Sequence, residues 1–199
     1  MKSNVCRFVQ NQAISEAMLR EVNKTAAYND LDKKNTLRLN LLAEELIGML
    51  PNFSDGYKGE FWIENDGNAY ELHAALSVEK FTLDTGDRFL SLSKNGKNAA
   101  AKGIIGKIRS VIGGMLVADD IAELAGYEVF SSGTMDLYPG YTHCWSLNQY
   151  QNAVENSSDS SENKEAWDEF EKSVITKIAD DVIVGIMGRK VDIIVRKSF

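Results

Sequence analysis

The sequence is poor in the residues from which disulfide frameworks and zinc sites are built. Among its 199 residues there are two cysteines, Cys6 and Cys144, and two histidines, His73 and His143. Two cysteines allow one bridge but no disulfide framework. No Cys-x-x-Cys pair occurs, and the adjacent His143 and Cys144 have no partners at the spacing typical of zinc ligands. We therefore expect no metal site and a reduced, cytoplasmic protein.

Long apolar runs and an excess of positive charge are missing as well. The longest apolar stretch, residues 111–118, is far shorter than the roughly 20 residues that a membrane-spanning helix needs. Lysine and arginine number 22 and aspartate and glutamate number 29, so the formal net charge is −7. Because an acidic chain binds nucleic acid and anionic membranes poorly, we expect neither as a partner.

The length and composition are those of one folded domain. A chain of 199 residues buries a sizeable core without help from metal or disulfides. Hydrophobic residues make up 44% and charged residues 26%, a globular balance that excludes wholesale disorder. We expect a single domain over residues 1–199, in which the serine-rich stretch 156–163 is a flexible surface loop.

The first quarter of the chain predicts a short strand and two helices. Residues 5–9 are β-prone, and apolar residues recur at helical spacing in residues 14–29 and 32–50. Pro51 ends the second helix. One face of that helix is apolar, and it carries Leu39, Leu42, Ala43, Leu46 and Leu50.

A β-hairpin is predicted next. The stretches GEFWIEN and AYELHAALS flank Asp66-Gly67, which is a favoured two-residue turn pair. In the second strand the apolar residues alternate with Glu71 and His73, so we expect His73 to face solvent.

The end of the chain predicts a helix and a second hairpin. Residues 167–179 form an amphipathic pattern, and DVIVGIM and KVDIIVRKSF then flank Gly188-Arg189. This hairpin is apolar on both faces, so it either lies in the centre of a sheet or presents its outer face to a partner. The helix residues expected to face inward are Phe170, Val174, Ile175 and Ile178.

Helices and strands are therefore segregated along the chain, without the alternation of βαβ units. The predicted order is β-α-α-β-β, a loop and helix region, and then α-β-β. This order indicates an α+β fold, a two-layer sandwich of a mixed or antiparallel sheet with helices on one face.

Three groups of residues are candidates for a ligand site. Glu45 lies at the margin of the apolar stripe of the second helix, where a carboxylate can hold a metal or orient water; otherwise it belongs to a solvated helix flank. Asp84 and Gly86 follow a strand-like stretch and form either a ligand contact or a plain turn. The third group, the basic island, suits an anion or forms a solvated loop. It contains Lys97, Lys102, Gly103, Gly106 and Lys107.

Together these features resemble the histidine-kinase-like ATPase superfamily (the GHKL or Bergerat fold), in its small anti-sigma-factor-like branch. The resembling segments are the helix LRLNLLAEELIGML, the strand pair after it, the lid-like run SKNGKNAAAKGIIGKI and the ending ADDVIVGIMGRKVDIIVRKSF. Residues at about 115–160 have no counterpart in the family and are interpreted as an insertion.

The resemblance implies a site for ATP and magnesium. Glu45 takes the place of the helix glutamate of the family, while Met49 stands where the family has the asparagine that holds magnesium. Asp84 and Gly86 take places in the family's Asp-x-Gly-x-Gly box, with Arg88 at the second glycine. The basic island would contact the phosphates.

The leading hypothesis is a bacterial regulatory or signalling protein with an ATPase-like fold and weak or no nucleotide binding. It would act through a protein partner, or as a homodimer, by way of the C-terminal hairpin. The alternative is an active ATP-binding serine/threonine protein kinase or ATPase of the anti-sigma-factor type. A third hypothesis is an interaction module without a pocket, which uses the hairpin and the aromatic residues 138–150.

Overall fold

The fold of the chain is given by a computed structural model, which describes residues 1–9, 15–50, 57–78, 108, 111–115, 141, 143–156, 173–187 and 190–199. Residues 111–115 are helical. The strands are β1 (Cys6–Val9), β2 (Tyr57–Asp66), β3 (Ala69–Val78), β4 (His143–Ser146), β5 (Asp181–Met187) and β6 (Lys190–Ser198). The other helices are α1 (Ser15–Tyr28), α2 (Lys33–Met49), α3 (Leu147–Asn156) and α4 (Val174–Ile178).

The six strands form one sheet in the order β1-β2-β3-β6-β5-β4, and every neighbouring pair is antiparallel. The hairpins β2–β3 and β5–β6 are joined at the centre of the sheet by the pairing of β3 with β6. The α+β class predicted from the sequence is confirmed, and within the described residues the sheet is antiparallel rather than mixed.

The helix α2 begins at a clear capping residue and packs through its predicted apolar face. The side chain of Asp32 accepts a hydrogen bond from the backbone N–H of Asn35 at 2.9 Å, which satisfies one of the free donors of the first turn. The face of α2 that was predicted to be apolar is buried. It packs with α1 and α4 onto one face of the sheet, in a core that also includes Phe61 and Val184.

The hairpin β2–β3 forms as predicted, but its turn lies one residue later. Asp66 pairs with Ala69, so the two turn residues are Gly67 and Asn68 rather than Asp66 and Gly67. Gly67 has a φ of 57°, a left-handed conformation that glycine adopts without a Cβ penalty.

The C-terminal hairpin lies inside the sheet, and its apolar residues are buried on both faces. Val182, Val184 and Ile186 face the helices. On the opposite face Ile183 and Ile194 pack with Cys144 in a second, smaller cluster, on which Tyr141 lies. The alternation of apolar residues on both sides therefore marks a central position.

Two parts of the prediction are corrected by the structure. The aromatic segment 138–150, for which no strand or helix was predicted, contains β4, which pairs with β5, and the beginning of α3. Of the helix predicted over residues 167–179, the described part is α4; there Ile175 is buried as expected, whereas Val174 is exposed. Phe170 and residues 157–172 lie outside the described residues.

Candidate functional site

The carboxylate of Glu45 contacts the beginning of α4. Its Oε1 accepts a hydrogen bond from the hydroxyl of Ser173, and its Oε2 accepts one from the backbone N–H of Ile175 at 2.9 Å. Ser173 is the N-cap residue of α4. A carboxylate at this position satisfies a free backbone donor of the first turn. Glu45 therefore joins α2 to α4, two elements that are far apart in the sequence.

The neighbours of Glu45 on α2 follow the helical pattern. Glu44 is exposed, as expected from its place on the water-facing side. Met49 is completely buried in the core. Its side chain ends in a thioether, so this position supplies no oxygen ligand of the kind that magnesium prefers.

The other residues predicted to form the ligand site lie outside the described residues. They are Asp84 and Gly86 after the predicted strand, and Lys97, Lys102, Gly103, Gly106 and Lys107 of the basic island. Their roles stay predictions from the sequence.

A second group of chemically active side chains lies on the face of the sheet opposite α1 and α2. The register of β2 and β3 places Trp62 opposite His73 and Glu64 opposite Glu71, and β6 adds Arg196 opposite Glu71. Because alternate residues of a strand point to opposite faces, all five side chains share one face. Together with Lys2 we name them the sheet-face cluster.

Contacts across the sheet connect the members of this cluster. Nε of Arg196 lies 2.7 Å from Oε1 of Glu71. Nε1 of Trp62 donates to Oε1 of Glu64 at 2.8 Å, and Nζ of Lys2 reaches the same oxygen at 3.1 Å. Lys2 also lies above the indole ring, with Nζ 4.2 Å from its centroid. Both carboxylates therefore keep one cation at Oε1.

The imidazole of His73 is held between the indole ring and a carboxylate. Its ring stacks on Trp62 with the centroids 4.7 Å apart and the planes at 4°. Its Nε2 lies 3.3 Å from Oε2 of Glu71, but this buried nitrogen has no hydrogen-bond partner. The side chain is only 12% exposed. The prediction of a solvent-facing His73 is therefore wrong, because Trp62 covers the ring.

Both carboxyl groups of the cluster are held in the charged form. The contact with His73 lowers the pKa of Glu71 most, and the charge of Arg196 lowers it further against the effect of burial. Burial alone would raise the pKa of Glu64, but hydrogen bonds from Trp62 and Lys2 outweigh it and lower the pKa. One oxygen or nitrogen atom each from Glu64, Glu71 and His73 lies within 4.8 Å of the others, a spacing that a metal ion can bridge.

The sequence carries a local signal for this cluster. In each strand of the predicted hairpin, polar residues with ligand atoms stand two positions apart: Trp62 and Glu64 in one, Glu71 and His73 in the other. The alternation placed them on one face. The turn, predicted one residue too early, would place Trp62 opposite Glu71 instead of opposite His73.

Farther along the same face, Tyr141 lies against β5 and β6. Its hydroxyl donates to Oδ2 of Asp192 at 3.0 Å. Burial, and then the negative charge of Asp192, raise the pKa of Tyr141. Burial also raises the pKa of Asp192, although the hydrogen bond from Tyr141 acts in the opposite direction.

The outer face of the C-terminal hairpin, where a partner was predicted to bind, has its apolar side chains packed within the chain. Ile183 is fully buried and Ile194 is 6% exposed. Met187 at the end of β5 is exposed. Within the described residues, this face offers a partner little apolar surface.

No protein-family model, curated protein or solved structure matches the chain. None of the helices that the structure describes has the length and apolar character needed to cross a membrane.

Proposed function

We propose that the chain is a bacterial regulatory protein with an ATPase-like fold, which acts by contacting a partner protein and binds nucleotide weakly or not at all. The proposal starts from the resemblance to the histidine-kinase-like ATPase superfamily. The order of the elements supports it: α2 is followed by the strand pair β2–β3, and the chain ends with α4 and the hairpin β5–β6. The resembling sequence segments occur in this order.

One observation carries the non-catalytic part of the proposal. In a catalytic member of the family, the carboxylate at the position of Glu45 would act on the nucleotide or on the group that attacks it. Here the two oxygens of Glu45 accept hydrogen bonds from the hydroxyl of Ser173 and from the N–H of Ile175. To accept a proton from a substrate it would have to weaken these contacts, and the N–H of Ile175 would keep only the hydroxyl oxygen of Ser173, 3.2 Å away, as its acceptor. Capping a helix is therefore a sufficient role for this side chain.

A magnesium ion would lack an oxygen ligand at position 49, one helical turn after Glu45. In phosphoryl transfer the metal bridges phosphate oxygens and neutralises the charge that develops on them. The fold would present Met49 where an oxygen ligand is needed, and Met49 is buried in the core. Without that ligand, magnesium would be held more weakly and nucleotide affinity would fall.

The first experiment is a thermal-shift titration with ATP and ADP, each with and without magnesium. A ligand at about 100 times its Kd stabilises the native state by about 2.7 kcal/mol, which gives an easily measured rise in Tm. We expect no magnesium-dependent rise at millimolar nucleotide. A small rise that is independent of magnesium supports the weak binding included in the proposal.

The alternative, an active kinase or ATPase, makes the opposite prediction. It requires a magnesium-dependent rise in Tm and transfer of the terminal phosphate of radiolabelled ATP. Transfer would be lost in Glu45→Gln and kept in the matched variant Glu44→Gln, whose side chain points to water. That combination would overturn the proposal.

The contact with a partner is tested separately from the nucleotide. Because Ile194 is buried, a charge at this position would test folding rather than binding. The exposed Met187 is the better probe of the hairpin, and Leu37, exposed on α2, is its matched control. If the chain forms homodimers through the hairpin, sedimentation velocity will show a mass that depends on concentration, lowered by Met187→Lys but not by Leu37→Lys.

A further inference from the structure

We propose that Glu64, Glu71 and His73 form a binding site for a divalent cation of the zinc class. The site lies on the face of the sheet opposite α1 and α2, so it is separate from Glu45 and independent of the proposed function. It revises the expectation from the sequence that the chain has no metal site. That expectation was based on cysteine spacing, whereas these ligands come from two paired strands.

The distances fit the coordination geometry of zinc. Zinc binds an imidazole nitrogen or a carboxylate oxygen at about 2.1 Å, so two ligand atoms of a tetrahedral site lie about 3.4 Å apart. Nε2 of His73 and Oε2 of Glu71 are 3.3 Å apart. The third ligand atom, from Glu64, completes a group within 4.8 Å. The side chain of Glu64 is 42% exposed, so a change of rotamer can bring its carboxylate closer.

The buried nitrogen of His73 is an independent indication. Nε2 has no hydrogen-bond partner, although it is shielded from solvent, and stacking on Trp62 fixes the plane of the ring. When Nε2 carries no proton, its lone pair and the carboxylate oxygen of Glu71 repel each other at this distance. A cation between the two atoms, either a proton or a metal ion, removes the repulsion. The tautomer with the lone pair on Nε2 is the form that binds a metal ion.

The remaining members of the cluster assist the site in different ways. Arg196 holds Oε1 of Glu71 and leaves Oε2, the oxygen nearer to His73, available. Such a contact from a neighbouring group orients a metal-binding carboxylate. Lys2, in contrast, competes with the metal ion for Glu64. Its side chain is 50% exposed, so it can withdraw into solvent when the ion binds.

The test is isothermal titration calorimetry of the full chain with zinc chloride, followed by the absorption spectrum of bound Co²⁺. We expect one ion per chain. His73→Gln, Glu71→Gln and Glu64→Gln should each weaken binding at least tenfold, and Lys2→Met should strengthen it. The matched control is His143→Gln, because His143 lies on the helix-facing side of the sheet, opposite Ile186.

Three results would overturn the proposal. The first is the absence of binding at millimolar zinc. The second is binding that His73→Gln leaves unchanged. The third is binding lost in Cys6→Ser, which would indicate adventitious capture by the partly exposed thiol of Cys6. Circular dichroism of each variant shows whether weaker binding reflects the loss of a ligand or the loss of the fold. Glu64 has the most exposed side chain of the three ligands, so Glu64→Gln should perturb the fold least.

Discussion

Gly59 and Gly185 allow an aromatic ring to lie directly on the sheet. A Cβ atom at Gly59 would lie 2.3 Å from the ring of Phe8, and one at Gly185 would lie 2.6 Å from the ring of Tyr141. Both distances are well inside van der Waals contact, so each position accepts only glycine unless the ring moves. The rings extend the two cores, one on each face of the sheet.

Gly185→Ala should therefore destabilise the protein by about 1–3 kcal/mol, the usual cost of overpacking. The cause is the displacement of Tyr141 from β5. Gly48→Ala is the matched control, since a Cβ there meets nothing within 4 Å. In the last turn of α2 this change should stabilise by up to about 1 kcal/mol. Urea unfolding of both variants measures the difference, and equal effects would contradict the packing described for Tyr141.

Asp192 should make stability fall as the pH rises. Its pKa is raised in the folded state by burial, so above about pH 4 this carboxyl binds its proton more strongly in the folded protein than in the unfolded chain. Its stabilising contribution is complete below the unfolded pKa and is lost as the pH rises through the folded pKa. Asp192→Asn removes this dependence while keeping an acceptor for Tyr141. The variant should have the higher Tm at pH 7, and the difference should shrink toward pH 3.

At the scale of single elements, α4 depends on a residue from another helix. A helix of five residues is too short to be stable alone. Glu45 supports it by accepting hydrogen bonds at its first turn. The position of α4 in turn places the start of β5 at the sheet.

Glu45→Ala should consequently destabilise the protein by about 1–2 kcal/mol in the absence of any nucleotide, because the N–H of Ile175 loses its charged acceptor. Glu44→Ala, one residue earlier and exposed, should change stability by less than about 0.5 kcal/mol. The free energy of unfolding in urea is the measurement. Equal values for the two variants would mean that Glu45 is not required by the fold and is available for catalysis.

Elements with a regular apolar period were predictable, and elements defined by distant contacts were not. The helix α2 could be located because its apolar residues recur every three to four positions and Pro51 follows. Within residues 131–150, the strand β4 has four residues, too few to show an alternating pattern. The contact of Glu45 with Ser173 joins positions 128 residues apart, which no local pattern encodes.

At the scale of the whole molecule, the six strands that the structure describes form a sheet with a protected centre and two short outer strands. β3, β6 and β5 each lie between two strands, while β1 and β4, the outer strands, have four residues each. The predicted hairpins formed the correct local pairs. Their order across the sheet could not be read from the sequence, because the pairing of β3 with β6 leaves no local signal.

The rate of amide hydrogen exchange should depend on the position of each strand in the sheet. Opening free energies range from near zero at fraying segments up to the global value in core strands. We expect the slowest exchange in β3 and β6 and the fastest in β1. Mass spectrometry of peptides covering these strands measures the rates. Exchange in β1 as slow as in β6 would contradict the arrangement.

The pairing of β3 with β6 also has a consequence for biosynthesis. About 110 residues separate the end of β3 from the start of β6. At about 5–20 residues per second, a ribosome needs roughly 6–20 s to make this stretch. During that interval the inner edge of β3 lacks its strand partner and resembles the unpaired strand edges that aggregate. Yield on expression should therefore depend on how quickly translation proceeds from β3 to β6.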